Sequence, residues 1–250
     1  MEMPFKLCLS SKGPHSPRMA KTLPKKIFGL DSFKLLDLVI RVSLGVFFAF
    51  TAGIYYRNSL AALHPGGGID LSPRAVVSAL SILAGGLYTM MIASLYVLRY
   101  KPVNKFAGFW PSLAAVLGGF LLFGLVWFKP NAHIGMTAQI IASLLILISN
   151  ILAAYILTRL GRSFSILPEG RKLVTKGPYK IVRHPLYMAE FFATIGTMII
   201  YLSVGAVVLA VAQTLLQLVR IHYEEKVLTE NFPEYKAYAK KTWRLVPGVY

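Results

Sequence analysis

The sequence predicts an all-α, polytopic integral membrane protein: a bundle of about six transmembrane helices with a C-terminal helical hairpin and a cytoplasmic tail. Three observations predict it. Of the 250 residues, 56% are hydrophobic and 15% charged, whereas a soluble domain carries about a quarter charged residues. The apolar residues fall in runs close to the ~20 that cross a bilayer's hydrocarbon. The Lys and Arg behind the net charge of +17 gather between those runs, as loops facing anionic cytoplasmic lipid would, and not on one face as a nucleic-acid binder would need.

Residues 1–33 read as a flexible basic tail holding Lys6, Lys12, Arg18, Lys21, Lys25 and Lys26. The tail has no apolar core of a cleavable signal peptide. The single cysteine, Cys8, permits neither an internal disulfide nor a cysteine-based metal site. Four spans are expected within residues 34–160. They cover about residues 35–56, 74–98, 110–128 and 137–158. Ser72-Pro73 supplies an N-cap and a first-turn proline for the second, and Pro111 lies near the start of the third. Residues 186–222 are too long for one span and are divided by Tyr201-Leu202-Ser203-Val204-Gly205. Charge alternates accordingly: the third loop has only Lys129, the fourth has Arg159, Arg162, Arg171, Lys172, Lys176, Lys180 and Arg183, and the hairpin turn has none. Six spans with both termini cytoplasmic satisfy this pattern. Asp37 and Arg41, four apart, read as a structural pair, and Gly85-Gly86 and Gly118-Gly119 as close helix packing. Gly66-Gly67-Gly68 lacks the spacing of a phosphate loop, so a nucleotide-like cofactor must be held some other way.

Residues 161–250 carry the chemistry. His184-Pro185 marks a helix entry, where free backbone N–H groups suit an anion. The competing reading of His184 is a plain cap, with Arg183 and Tyr187 as interfacial anchors. Glu190, one turn beyond Tyr187, is an ionisable group inside a span and is expected to face a polar cavity. Arg220 and Glu224 share a helix face, as an interfacial ion pair or as part of a ligand site; because Glu225 follows, at least one of the two carboxylates must point elsewhere. His222 and Glu224 lie on different faces and no HExxH occurs, so no metal site is expected.

Leu173-Val174-Thr175-x-Gly177-Pro178-Tyr179, then Arg183-His184-Pro185-x-Tyr187, then Arg220-x-x-x-Glu224-Glu225-x-x-Leu228 resemble the isoprenylcysteine carboxyl methyltransferase family, of which phospholipid N-methyltransferases are relatives. The resemblance covers roughly the last 90 residues. It implies S-adenosylmethionine as methyl donor without a Rossmann domain. It implies cofactor contacts from the backbone around Arg171, Lys172, Leu173 and Val174, from Tyr179, from His184, Pro185, Leu186 and Tyr187, and from Glu224 with its neighbour Glu225. Arg220 would face a lipid or prenylated acceptor arriving from the bilayer. A carboxylate is the expected acceptor group, needing no base; an amine would need one, for which Glu190 or Glu225 could serve. The chain departs from the family in Met188-Ala189-Glu190, where glycine or a small residue is usual, and in Phe232-Pro233, where Phe-Gly is. Membrane sterol reductases, which use NADPH, share an Arg-His-Pro-x-Tyr element but carry Asn where this chain has Leu186. A non-catalytic scaffold or transporter component is a third reading, against which the spans show few charges along a path.

Overall fold

The computed structural model describes residues 26–27, 30–100, 108–131, 133–167 and 171–249. The chain divides into two units, Met1–Ile40 and Arg41–Tyr250. In the first, Lys26–Ile27 (β1) and Leu30–Asp31 (β2) pair antiparallel. Of the expected tail, residues 1–25 and 28–29 lie outside the described residues.

Helix α1 covers Ser32–Leu63, α2 Pro73–Leu98, α3 Phe109–Phe120, α4 Met136–Leu160, α5 Pro185–Tyr201, α6 Val204–Asn231 and the short α7 Tyr235–Ala239. Among the described residues, four segments are long and apolar enough to cross a membrane: Asp37–Leu63, Pro73–Leu98, Met136–Ser163 and Val204–Asn231; two apolar helices, Phe109–Leu125 and Pro185–Tyr201, are shorter. The polarity of the bundle is that of a protein dissolved in lipid. Along α6, Gln213, Gln217 and Arg220 are 6%, 5% and 8% exposed, whereas Val208, Val211 and Leu215 are 60%, 55% and 57% exposed. Polar side chains turn inward and apolar ones outward, the reverse of a soluble helix.

The element boundaries follow local chemistry. Ser72 accepts the Ala75 N–H at 3.3 Å with Pro73 behind it, so α2 starts where its cap predicts. The long C-terminal apolar run breaks at Leu202, whose backbone is left-handed (φ 29°, ψ 54°), and Ser203 then caps α6 through the Ala206 N–H. The third segment differs from a uniform span. Helix α3 ends at Phe120 and the chain continues as 3-10 turns over Leu121–Trp127. Twelve α residues and seven 3-10 residues rise about 18 Å and 14 Å, so together they still match a ~30 Å hydrocarbon layer.

Backbone contacts fix the helix directions. Tyr100 N–H donates to the Arg162 carbonyl at 2.9 Å, so α2 and α4 end side by side. Asn131 N–H donates to the Ile200 carbonyl at 2.9 Å, joining the start of α4 to the end of α5. Gly196 of α5 lies against α4, where a β-carbon would stand 2.8 Å from the Ala142 carbonyl oxygen. Arg41 reaches the Arg99 carbonyl at 3.0 Å. The C-terminal tail folds back onto the entry to α5: Arg183 and His184 N–H donate to the Trp243 and Arg244 carbonyls, and Trp243 N–H to that of Ile181.

Candidate active site

A cavity of about 810 Å³ runs through the bundle, within the size range of small-molecule sites. At its more polar end, three helices and one loop contribute. Helix α5 presents Tyr187, Glu190 and Thr194 at spacings of three and four, one face of a helix; α6 presents Gln213, Gln217, Arg220 and Glu224 in the same way. From α2 comes Tyr88, whose hydroxyl donates to Glu190 Oε1 at 2.9 Å. Gln217 Nε2 donates to the other oxygen, Oε2, at 3.0 Å. Glu190 is thus a carboxylate held by two neutral donors at the cavity wall, and an intramembrane carboxylate so placed marks a site.

Arg220 sits beside it. Its guanidinium lies 5.0 Å from the centre of the Tyr187 ring, a cation–π arrangement, and Nη2 donates to the Ile166 carbonyl at 3.5 Å. Tyr187 in turn donates its hydroxyl to Glu224. One arginine, two carboxylates and two phenols therefore converge where the α4–α5 connection covers the bundle.

Of the residues singled out from sequence, Lys172, Leu173, Val174, Tyr179, His184, Leu186, Tyr187, Glu190, Arg220 and Glu224 line this cavity. Pro185 is fully buried at the first turn of α5 and is not among the lining side chains. Glu225 points away, as its neighbour's orientation requires. It accepts from Arg183 Nε at 2.8 Å and Arg244 Nη2 at 2.8 Å, with His184 Nε2 at 3.3 Å. His184 is the N-cap residue of α5, but its side chain makes no cap bond; the ring is spent on Glu225. Arg183 also donates to the Ala239 carbonyl at 2.8 Å and to that of Thr242. This clamp ties the tail to the helix start whose N–H groups border the cavity.

Tyr179 belongs to the same border. It packs with Ala153, Ile156 and Ala189, and its carbonyl accepts the Tyr238 hydroxyl at 2.7 Å. Burial pushes the Tyr238 phenol up to about 12 and the Tyr179 phenol higher still, so both stay protonated donors.

Sequence reasoning missed Tyr88, Gln217 and Tyr96. Tyr96, fully buried, accepts the Ile166 N–H at 3.4 Å and so holds the loop that meets Arg220. The available signal was the polar stripe of Gln213, Gln217 and Arg220 within an apolar span; Tyr88 and Tyr96 carried none. Among the described residues there is no group of three His, Cys, Asp or Glu able to hold a metal ion.

The residues that could hold S-adenosylmethionine suit its charges. Glu224 offers a carboxylate to a cationic sulfur or ammonium, and the start of α5 offers backbone donors to a carboxylate.

Residues 133–235 match the family model described as phospholipid methyltransferase. A nickel-cobalt-cadmium resistance protein of Alcaligenes xylosoxydans xylosoxydans is 40% identical over 83 residues, 32% of this chain and 39% of that protein. Protein-S-isoprenylcysteine O-methyltransferase B of Arabidopsis thaliana is 34% identical over 112 residues, 42% of this chain and 57% of that protein. Methanethiol S-methyltransferase of Pseudomonas deceptionensis is 40% identical over 72 residues, 28% of this chain and 27% of that protein. The chain thus spans between about a quarter and somewhat over half the length of these relatives. The matched region holds α4, α5 and α6, and over these site-building helices the chain resembles the phospholipid and isoprenylcysteine methyltransferases.

Proposed function

We propose that the protein is an S-adenosylmethionine-dependent membrane methyltransferase acting on a lipid or prenylated acceptor. The observation that carries this reading is the meeting of Glu224, Tyr187, Arg220 and Glu190 in one cavity of an otherwise apolar bundle. The likeness to methyltransferases over the same helices supports it.

When bound, S-adenosylmethionine supplies a methyl group on a positively charged sulfur. The backbone of Lys172, Leu173 and Val174, the start of α5 and Tyr179 would hold it, and Glu224 would balance its charge. Arg220, one helical turn further along α6 towards the bundle interior, would orient the acceptor. Positioning of this kind supplies on the order of 7–11 kcal/mol. With a carboxylate acceptor no proton moves. The lipid-embedded walls exclude water, which would otherwise stabilise the separated charges. An amine acceptor would first have to lose a proton, and Glu190, held by neutral donors, is the carboxylate placed to take it; Glu225 is occupied by Arg183 and Arg244. The active site is assigned to the cytoplasmic side on the loop charges.

Binding of radiolabelled S-adenosylmethionine and of NADPH to the purified protein tests the reading. Saturable binding of the first alone is expected; binding of NADPH alone would return the site to reductase chemistry. Arg220→Lys tests the acceptor role. Lysine keeps the charge and loses the planar fork, so turnover on an S-prenylated cysteine should fall by roughly a hundredfold with cofactor affinity within a few-fold. Full turnover in the lysine variant would make Arg220 an anchor.

A further inference from the structure

We infer that Gly118 of α3 is a positioning residue for Arg220. The inference rests on the reading that Arg220 orients the acceptor. It adds to the site an element that lies before residue 133, outside the region matching the methyltransferase family.

Hydrogen bonds do little to fix the Arg220 side chain. Its Nη2 bond to the Ile166 carbonyl is long, at 3.5 Å, and its buried Nε has no hydrogen-bond partner among the described residues. Glu224 and Glu190 attract the guanidinium, and packing sets the course of the stem that carries it. The ring of Tyr187 supports the guanidinium, and Gly118 supports the stem: a β-carbon at residue 118 would stand 2.7 Å from Arg220 Cδ and 3.4 Å from Leu216 Cβ. The first distance is too short for carbon atoms in contact. Helix α3 has no free retreat at this level, because Gln213 Nε2 of α6 donates to the Gly118 carbonyl. Two turns of α6 thus grip one residue of α3, Gln213 by its carbonyl and Arg220 against its bare α-carbon. A methyl group added there is accommodated by rotating the arginine stem, which carries the guanidinium off the Tyr187 face. The three atoms nearest to such a β-carbon all belong to Arg220 and Leu216 of α6.

Gly118→Ala tests this. Turnover on an S-prenylated cysteine should fall at least tenfold, while S-adenosylmethionine affinity by calorimetry stays within a few-fold and thermal stability is kept. Gly53→Ala, at a position with nothing among the described residues within 4 Å of the added carbon, should leave turnover unchanged. A double-mutant cycle supplies the readout that a merely structural role would not move: once Arg220 is lysine, Gly118→Ala should cost less than it does in the parent protein. If Gly118→Ala does not fold, Gln213→Met releases the grip on α3 and should lower turnover without changing cofactor affinity. Full turnover in a folded Gly118→Ala, or in Gln213→Met where that variant is needed, would overturn the inference. Loss of turnover in Arg220→Lys beside full turnover in Gly118→Ala would sink the inference alone. Full turnover in Arg220→Lys would sink the acceptor reading beneath it.

Discussion

Two adjacent glutamates do different work because a helix turns about 100° per residue. Glu224 faces the cavity and accepts from Tyr187; Glu225 faces the tail and is locked by Arg183, His184 and Arg244. The contrast is measurable. If Glu224 balances the charge of the cofactor, as proposed, Glu224→Ala should weaken S-adenosylmethionine binding by roughly ten- to a hundredfold, the worth of one charge-assisted hydrogen bond, with little change in stability. Glu225→Gln leaves two arginines without their carboxylate. It should cost about 2–3 kcal/mol, somewhat below the ~3–5 kcal/mol for breaking a fully buried pair because Glu225 and its arginines are partly exposed, and should open the segment after α6 to protease. Unchanged cofactor affinity in Glu224→Ala, or an unchanged protease pattern in Glu225→Gln, would reverse these assignments. The adjacency of the pair was legible in the sequence, but the division of labour was not, since it depends on Arg244 folding back beside Arg183. Nor was the partnership of Tyr88 with Glu190, which bridges 102 residues.

At the level of elements, what local chemistry decides was readable and what tertiary packing decides was not. Ser72-Pro73 announced α2, and His184-Pro185 announced α5. Residues 186–222 had to break because their length exceeded one crossing. The 3-10 continuation of α3 was hidden, because a tighter turn over Leu121–Trp127 uses the same apolar residues an α-helix would. The hairpin turn carries its own prediction. Leu202 adopts a left-handed backbone that costs an ordinary side chain about 1–2 kcal/mol and that asparagine tolerates. The Leu202 side chain is 65% exposed, so little packing is lost by replacing it. Leu202→Asn should therefore raise stability by about 1 kcal/mol, read as a higher denaturation midpoint in detergent; a clear fall would mean that the turn is held by contacts of the leucine. Gly196→Ala should act the other way, since the added carbon meets both the Ala142 carbonyl and Ile146, and overpacking of this kind costs about 1–3 kcal/mol.

For the whole molecule, the question is how many of the six apolar segments cross, because two are short. Four crossings by α1, α2, α4 and α6 and six crossings by α1 to α6 both leave the two termini on one side. They differ in the connection from α4 to α5. With four crossings it lies opposite the N-terminus; with six it lies on the same side. The hydrogen bonds favour six. Helices α2 and α4 end together through Tyr100 and Arg162, and Arg162 Nε also donates to the Leu98 carbonyl at 2.6 Å. Two consecutive long helices that run in the same direction require the chain between them to traverse back, which α3 and its 3-10 continuation do. Charge agrees: Arg99, Arg162, Arg171, Lys176 and Arg183 then gather on one side of the membrane, which the proposed reading takes as cytoplasmic. The test replaces Cys8, the sole cysteine, with serine and places single cysteines at Lys176 and at Ser203. In right-side-out vesicles a membrane-impermeant thiol reagent should label residue 203 and spare residue 176 until the membrane is opened. Labelling of residue 176 from outside would establish four crossings, put the candidate active site on the far side of the membrane, and separate it from a cytoplasmic supply of S-adenosylmethionine.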